Sequence, residues 1–537
     1  MYKKLFNLLL SVILIFSLIF GIGGNNFVHA SDDPSGSDGS DEEIVFVPDE
    51  VVALADSLEH AEEIAEAYDL ELVSFAFGVA VYHSDDPEQE VDQSEELDLD
   101  GIPELSLNFV YELFYTAVEY ETQSEYQTMY SAQWHHAEMD TANAHNLGHS
   151  GAGVVIAVID TGIDIDHSAF YGRLSALSYN SYTRDVGLAY VREDYTSHGT
   201  HVSGTIAASR DFAANTTGVA PGATLMVIKA NSPTTNTFTT DSIIGGINYA
   251  VDNGAHIINL SLGRPLSGGE SSVERNAIIN AVNKGVLVVC AAGNDREGSI
   301  SYPAAYPEAV AVTATRQGYM FADDYSNFGP QVDVSAPGSA IYATVIGGYG
   351  YMSGTSMAAG NVSGVAALII GQNRSLSVQQ VRDKLSVTSR DAGAAGFDIY
   401  FGHGVVNAFA AVSSVNLSGM EQFLERLYVT MLGRSADREG LNYWLAALNN
   451  GMTGQKAAEN FVYSNEFVNK NMTNEVYLQH MYRGLLGREA DREGLDYWEG
   501  VMNRAPSLEQ AKRTMFIDFA NSNEFRSICA SFGVRAN

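Results

Sequence analysis

The sequence predicts an α/β protein whose main domain is a parallel sheet with helices on both faces. Three observations lead to this fold class. Apolar strands alternate with helical segments through the middle of the chain, a pattern typical of parallel sheets covered on both sides. An acidic stretch ahead of this region predicts a small α+β unit, and a motif repeated at helical spacing near the C-terminus predicts a small all-α region.

The first thirty residues have the pattern of a targeting sequence. Lys3 and Lys4 precede the apolar stretch Leu5–Ile22. Val28-His29-Ala30 then ends in a small residue before Ser31, as a signal-peptide cleavage site does. This order predicts a signal peptide over residues 1–30 and a secreted or cell-surface protein, with a retained membrane anchor as the alternative. Residues 31–42 are rich in Ser, Gly and Asp and are predicted to be a disordered acidic linker.

Residues 43–115 form the small α+β unit. Helical spacing of apolar residues predicts one helix, and short apolar runs predict four strands around it. The predicted elements are a strand Val51–Leu54, a helix Leu58–Tyr68, strands Leu70–Phe75 and Val79–Tyr82, an acidic loop Asp85–Asp100 and a last strand Leu105–Tyr111. The alternative is an independent acidic domain.

Residues 125–415 form the main domain. Each of its predicted strands is a continuous apolar run, which indicates burial on both faces, and helices such as Asp241–Asn253 and Ser272–Lys284 lie between them. In such sheets a functional site lies at the carboxyl ends of the strands. The predicted strands are Val154–Ile159, Leu225–Lys229, Ile257–Leu262, Val286–Ala291 and Ala309–Ala314.

The charge of the whole chain is strongly acidic. Its 537 residues contain 66 Asp and Glu against 29 Lys and Arg, a formal net charge of −37. Residues 31–125 carry 29 of these carboxylates and no Lys or Arg. This balance argues against a nucleic acid or an anionic membrane as the main partner, because both are negatively charged. The two cysteines, Cys290 and Cys529, exclude a disulfide framework, and Cys290 is interpreted as a buried small hydrophobic residue.

Three motifs carry polar side chains at element ends. Asp160-Thr161-Gly162 ends a strand, His198-Gly199-Thr200-His201 opens a helix, and Gly354-Thr355-Ser356-Met357-Ala358-Ala359 opens a later helix. A serine is a poor nucleophile unless a histidine can take its proton, and the imidazole needs a carboxylate to fix its tautomer. The order Asp, His, Ser therefore favours nucleophilic catalysis.

These motifs, together with Ala291-Ala292-Gly293-Asn294, resemble the subtilase family of serine peptidases over about Gln133–Val415. The resemblance implies that Asp160 orients the imidazole, that His198 is the general base and that Ser356 is the nucleophile. It also implies that the side-chain amide of Asn294 and the backbone N–H of Ser356 donate to the oxyanion.

The resemblance also implies a substrate-binding region. Ser261-Leu262-Gly263 is similar to the family's strand that pairs with the substrate backbone, Ala291-Ala292-Gly293 to one wall of the main specificity pocket, and Ser301 to a residue near its floor. These residues are small or apolar and carry no charge. We therefore expect a large uncharged side chain before the scissile bond.

The chemistry implied by the family needs no cofactor and no catalytic metal. A structural calcium ion is compatible with the family, but the usual site is not supported, because Ala169 stands where a carboxylate is expected and Arg210–Thr217 lacks the usual Asn-rich run. Asp323-Asp324 or Asp194 are candidate ligands for a calcium site at another position, although surface carboxylates are usually only solvated. Among the other histidines, His201 is expected to be structural, and surface positions are expected for His135, His136 and His167.

The resemblance gives the acidic unit a role as propeptide, which would inhibit the enzyme until it is removed. No dibasic site lies between the predicted signal peptide and the main domain, so self-cleavage within about Leu113–Tyr130 is the simpler hypothesis. The predicted function is a secreted serine endopeptidase with protein or peptide substrates, working through an acyl-enzyme. The alternative is a catalytically silent surface or adhesion protein that uses the fold and the C-terminal repeats for binding.

Residues 421–537 contain one motif twice. The Leu-Gly-Arg and Tyr-Trp elements of the two copies are offset by 54 residues, whereas the Asn-Glu-Phe ends are offset by 58, so the second copy has four extra residues. The copies resemble a tandem helical module of unknown function on secreted and surface bacterial proteins, so an extracellular or cell-surface ligand is a candidate partner. Trp444 and Trp498 are expected in the core, and Asp437 and Asp491 as helix caps.

Overall fold

A computed structural model describes residues 28–30, 44–97, 99, 101–117, 133–193, 195–211, 216–394, 396–413, 419–432, 436, 438–470, 472–486, 490 and 492–537. The predicted linker, most of the predicted signal peptide, Asp194, Asp437 and Asp491 lie outside these residues. The chain forms two compact units. The first comprises the described residues of Met1–Val110 with Thr239–Asp241 and Ser267–Val273, and the second comprises the rest from Tyr111 onward.

In the first unit an antiparallel sheet has the order β5-β2-β4-β3, and β1 pairs with β2. Apolar side chains of the strands and of the helix Leu58–Tyr68 form its core, including Val51, Ile64 and Tyr82. The helix begins after Ser57, whose side chain accepts the N–H of His60 at 3.1 Å. The strands are β1 (Val28–Ala30), β2 (Ile44–Leu54), β3 (Glu71–Ala76), β4 (Val79–His83) and β5 (Ser106–Leu113).

The acidic loop predicted over Asp85–Asp100 is wrong, because residues Pro87–Leu97 form a helix. A proline at the first position and glutamates in the first turn favour a helix N-terminus. Only Pro87 and Ser94 of this helix are buried, so it has no apolar periodicity from which it could be recognised.

The second unit is built on a nine-stranded sheet in the order β16-β15-β14-β12-β7-β10-β8-β9, with β17 beside β15. The strands from β15 to β8 run parallel, whereas β16 and β9 are antiparallel edges. The predicted parallel sheet is confirmed. Its strands are β7 (Val155–Asp160), β8 (Tyr179–Asn180), β9 (Asp185–Val186), β10 (Thr224–Lys229), β12 (Ile257–Leu260), β14 (Leu287–Ala291), β15 (Val310–Arg316), β16 (Met320–Phe321) and β17 (Val334–Pro337).

Helices lie along this sheet and bury the apolar side chains of its strands. The longest, Thr355–Gln372, is buried over Thr355–Ile370, which agrees with its lack of a polar face. The smaller strands are β6 (Thr116–Ala117), β11 (Phe238–Thr239), β13 (Leu262–Gly263), β18 (Ile341–Val345) and β19 (Gly348–Ser353). The other α-helices before residue 414 are Trp134–Glu138, Thr141–Asn146, His198–Ala207, Thr240–Asp252, Ser272–Asn283, Val378–Thr388 and Ala408–Ser413, and 3-10 turns cover Ser168–Phe170, Leu188–Tyr190 and Leu266–Gly268.

The C-terminal region is all-helical, as predicted. The four extra residues of the second copy add one turn to a helix, because Leu508–Ala520 has 13 residues where Gly454–Val462 has nine. Trp498 is buried and Trp444 packs against the same core. The first copy contains Gly419–Leu427, a π-helical turn Tyr428–Leu432, Arg438–Asn449, Gly454–Val462 and Asn465–Val468, and the second contains Asn474–Met481, a π-helical turn Tyr482–Leu486, Arg492–Arg504, Leu508–Ala520 and Asn523–Ser531.

No helix among the described residues is both long enough and apolar enough to span a bilayer.

Candidate active site

The carboxylate of Asp160 and the imidazole of His198 form a buried pair. Asp160 is the last residue of β7, His198 is the first residue of the helix His198–Ala207, and both are fully buried. His198 Nδ1 and Asp160 Oδ1 are 2.7 Å apart, and the N–H of Thr161 donates to the same oxygen at 2.7 Å. A carboxylate only accepts hydrogen bonds, so the ring carries its proton on Nδ1 and its Nε2 is left as an acceptor.

Ser356 lies in the first turn of the helix Thr355–Gln372 and is also buried. Its hydroxyl donates to the carbonyl oxygen of Phe114 at 2.6 Å and lies 3.0 Å from that of Ser261. His198 Nε2 is buried and has no hydrogen-bond partner among the described residues. The hydroxyl therefore has two carbonyl acceptors within hydrogen-bond distance and no hydrogen bond to the imidazole.

Asn294 follows β14, and its amide has a fixed orientation. Its Oδ1 accepts the N–H of Thr355 at 3.0 Å and the hydroxyl of Thr355 at 2.9 Å. A backbone N–H can only donate, so the amide cannot be flipped, and its Nδ2 is buried without a partner among the described residues. A Cβ atom built on Gly354 would lie 3.0 Å from this Nδ2 and 2.2 Å from the Phe114 carbonyl oxygen. The free amide and the carbonyl therefore face the same side of Gly354.

The segment Glu112–Ala117 runs through the site, with Phe114 and Tyr115 between the end of β5 and the short strand β6. Leu113 and Glu112 pair antiparallel with Leu262 and Gly263, and Thr116 and Ala117 pair with Ser353 and Met352. The ring of Tyr115 lies 4.7 Å from that of His198. The Phe114–Tyr115 peptide bond thus lies between the serine and the histidine. The sequence predicted the last strand and a cleavage region, but not this bond.

Of the residues predicted to bind substrate, Gly263 lies against the ring of Phe114. A Cβ on Gly263 would come within 2.4 Å of this ring, so only glycine permits the contact. Ser301 donates its N–H to the carbonyl of Ala292 at 2.9 Å, and its Oγ lies next to Gly293 and accepts from the side-chain amide of Asn327 at 3.4 Å. The sequence did not identify Asn327. Ser261, Leu262, Ala291 and Ala292 are buried beside them.

Glu193, a buried carboxylate next to the Asp160–His198 pair, belongs to none of the motifs that the sequence offered. Its oxygens accept the N–H of Thr200 at 2.8 Å, the hydroxyl of Thr161 at 2.5 Å and the hydroxyl of Thr196 at 2.5 Å. Ser197 at the N-cap position makes no capping bond, so Glu193 satisfies the free N–H groups of the helix that carries His198.

The expected surface positions of His135, His136 and His167 are wrong, because all three side chains are buried. His136 Nε2 lies 2.9 Å from the carbonyl of Thr217, and the rings of His135 and His136 are 4.3 Å apart. His201 is buried as well, with Nε2 2.9 Å from the carbonyl of Ile341. Burial lowers the pKa of His136 and of His201 to about 3, and it holds the pKa of His135 well below its ordinary value.

The usual calcium position of the family does not fit a metal ligand. Ala169 is buried, has no side-chain oxygen, and its carbonyl accepts the N–H of Ser209. Asp323 and Asp324 form ion pairs with Arg316, with nitrogen–oxygen distances of 2.9 and 2.6 Å. Within the described residues there is no group of three or more His, Cys, Asp or Glu side chains suited to a metal ion.

A buried Asp–His pair with a serine facing a peptide carbonyl, at the carboxyl edge of a parallel sheet, is an arrangement of serine peptidases. The model of the subtilase family matches residues 151–404, and that of a domain of unknown function, DUF4214, matches residues 407–471 and 458–529. The chain belongs to the subtilase family and is a subtilisin-like serine peptidase, an enzyme that acts on proteins.

Relatives of known name support this membership. The chain is 38% identical to an alkaline protease of Alkalihalobacillus alcalophilus over 55% of its own length and 74% of that protein. It is 38% identical to Subtilisin Savinase of Lederbergia lenta over 52% of its length and 98% of that protein. Among solved structures, fervidolysin of Fervidobacterium pennivorans, a keratinolytic enzyme related to subtilisin, has a TM-score of 0.61 and 28% identity, covering 69% of this chain and 61% of fervidolysin.

The buried histidines make stability depend on pH in the acid range. Their folded-state pKa values lie below the unfolded value of about 6.5, so the stability they contribute is complete above that pH and is lost as the pH falls towards 3. In a Ser356→Ala background, His136→Gln should reduce the dependence of unfolding free energy on pH between about 6 and 4 by roughly 1.4 kcal/mol per unit. Denaturant titrations measure this, and Asn146→Gln, an exposed position without a titratable side chain, is the control that should leave the slope unchanged. Equal slopes in both variants would contradict the interpretation.

Glu193→Gln tests whether this carboxylate holds the histidine helix in position. The amide has one acceptor oxygen fewer, and a hydrogen bond to a charged group contributes about 1.5–3 kcal/mol. We expect a lower melting temperature and a kcat that falls about tenfold with little change in KM, because Glu193 contacts the helix and Thr161. Asp252→Asn, an exposed partner of Lys284, should change neither quantity. An unchanged kcat would show that Glu193 has no part in holding the site.

Proposed function

We propose that this chain is a secreted serine endopeptidase, made as a precursor, in which Asp160, His198 and Ser356 hydrolyse peptide bonds through an acyl-enzyme. One observation carries this proposal: the hydroxyl of Ser356 lies 2.6 Å from the carbonyl oxygen of Phe114, beside the buried Asp160–His198 pair. A silent binding protein has no need of a buried imidazole with an open Nε2 next to a serine.

In the proposed reaction the Ser356 oxygen attacks the carbonyl carbon of the bound peptide, and His198 Nε2 takes the hydroxyl proton. Asp160 stabilises the imidazolium that results. The imidazolium then gives its proton to the leaving amine as the carbon–nitrogen bond breaks, and an ester to Ser356 remains. Water attacks this ester with the same histidine as base, which releases the acid and restores the serine.

The charge that develops on the carbonyl oxygen needs donors. The Nδ2 of Asn294 is buried and without a partner among the described residues, and the N–H of Ser356 lies 3.4 Å from the Phe114 oxygen. A long contact to the ground-state carbonyl is compatible with a donor that tightens when the oxygen becomes tetrahedral. Both groups are therefore proposed as oxyanion donors.

The acidic segment is proposed to be a propeptide that the enzyme removes itself, at the bond between Phe114 and Tyr115. This bond lies within the region expected for self-cleavage, and its carbonyl is the one that the Ser356 hydroxyl meets. Phe114 is also the large uncharged side chain expected before the scissile bond, and its ring is buried against Gly263. After cleavage the new carboxyl end at Phe114 would remain as a product inhibitor, paired with Leu262 and Gly263 through the residues before it.

Secretion is proposed from the positive, apolar and small-residue order of residues 1–30. The C-terminal repeats are proposed to bind an extracellular or cell-surface ligand, and no cofactor is proposed for the chemistry.

The proposed role of Asn294 is tested by Asn294→Ala. Loss of one oxyanion donor should lower kcat about 10²–10³-fold and change KM little, because the interaction forms mainly in the transition state. The measurement uses variant enzyme whose propeptide has been removed by a trace of active wild type. A fluorophosphonate probe gives the concentration of active sites. Asn283→Ala, at an exposed helix end, is the matched control and should keep full turnover. A folded Asn294→Ala enzyme with wild-type turnover would refute the assignment.

The proposed self-cleavage predicts where the mature enzyme begins. N-terminal sequencing of the wild-type product should start at Tyr115, whereas Ser356→Ala should accumulate as an unprocessed precursor. Phe114→Asp should slow processing strongly, because it buries a charge against Gly263, and Glu112→Gln, at an exposed position, should not. A Ser356→Ala protein with the same N-terminus as the wild type would show that another protease makes the cut.

A further inference from the structure

Arg264 directly follows β13 and is buried in a cluster of polar side chains. Only 2% of its surface is exposed, its Nη2 lies 3.4 Å from Oε2 of the fully buried Glu274, and the hydroxyl of Tyr306 donates to that oxygen at 2.7 Å. Backbone hydrogen bonds of 2.9 and 3.0 Å to Tyr302 fix the position of Arg264. Burying an ion pair carries a desolvation penalty that an apolar pocket would avoid, so this cluster is not explained by stability.

Tyr111 is the side chain that covers this cluster. It is fully buried, Arg264 Nε donates to its hydroxyl at 3.4 Å, and the guanidinium carbon lies 5.7 Å from the centre of its ring. The same guanidinium lies 4.7 Å from the ring of Tyr302. Arg264 therefore contacts the phenol both at its hydroxyl and at its ring.

The register of the bound strand connects this contact to cleavage. Glu112 and Leu113 pair with Gly263 and Leu262, and the carbonyl of Phe114 meets Ser356. Along the strand Tyr111 and Phe114 are buried, Leu113 is half-buried and Glu112 is exposed. A peptide that pairs in the same register puts its residue three positions before the acylated one against Arg264.

We infer that Arg264 is a specificity-determining residue that selects tyrosine at the third position before the residue whose carbonyl is attacked. The inference rests on the proposed peptidase function and deepens it. Phenylalanine fits the same space but leaves Arg264 Nε without the hydroxyl, and a site built for a hydroxyl rejects the analogue that lacks it. A lysine or arginine side chain would meet the positive guanidinium, and leucine would lose the ring contact.

Mature enzyme and reporter peptides of the form Xaa-Glu-Leu-Phe test this. With Xaa as Tyr, Phe, Leu or Lys, kcat/KM should be highest for Tyr and about tenfold lower for Phe. Equal rates for the Tyr and Phe peptides would overturn the inference and leave the peptidase function intact. If the enzyme reacts with a fluorophosphonate probe but cleaves none of the four peptides, the substrate register is refuted, and the inference with it. If the enzyme does not react with the probe, the proposed function is refuted.

Variants of Arg264 give a second test. Arg264→Lys keeps a charge beside Glu274 but loses the planar Nε donor, and Arg264→Gln loses the charge. In both, the Tyr-to-Phe ratio of kcat/KM should fall to about one, because the tyrosine hydroxyl no longer meets the Nε donor. Arg275→Gln, on the neighbouring helix and paired with Glu308, is the control and should keep the preference. A preserved ratio in the Arg264 variants would contradict the inference, and if neither variant folds, the wild-type peptide series alone decides it.

Discussion

The hydrogen bond of 2.7 Å between His198 Nδ1 and Asp160 Oδ1 is the interaction on which the rest of the catalytic unit depends. It joins the end of β7 to the start of the helix His198–Ala207, with both side chains fully buried. β7 lies between β10 and β12 in the middle of the sheet, so the carboxylate is held by paired backbone on both sides. A buried carboxylate and imidazole need such rigid support, because their mutual geometry decides whether the pair offsets its desolvation.

The supporting groups around this pair are polar and buried, which is unusual for the interior of a sheet protein. Glu193 satisfies N–H groups of the histidine helix, and Thr161 bridges Glu193 and Asp160 through one hydroxyl. Each of these groups would be destabilising alone. Together they are mutually hydrogen-bonded, so the site holds its side chains in one arrangement.

Backbone pairing holds the bound strand in position, as side-chain contacts hold the histidine. The short strand β13 offers an edge to Glu112 and Leu113, and this pairing delivers the carbonyl of Phe114 to Ser356 and the phenol of Tyr111 to Arg264. The pairing register fixes which residue lies at each position along β13. One register therefore sets both the peptide bond that meets Ser356 and the side chain that meets Arg264. The same few hydrogen bonds therefore underlie both the proposed cleavage and the proposed selection.

The sequence by itself determined the parallel sheet, the all-helical repeats and the motifs around Asp160, His198, Asn294 and Ser356, because apolar periodicity and glycine-flanked turns are local patterns. Tertiary structure alone decided what those motifs meet. The Phe114 carbonyl lies 242 residues from Ser356 in sequence and Tyr111 lies 153 from Arg264, and no local pattern encodes such distant pairs. The burial of His135 and His136 was hidden for the same reason, because whether a polar side chain is buried depends on the elements that pack over it.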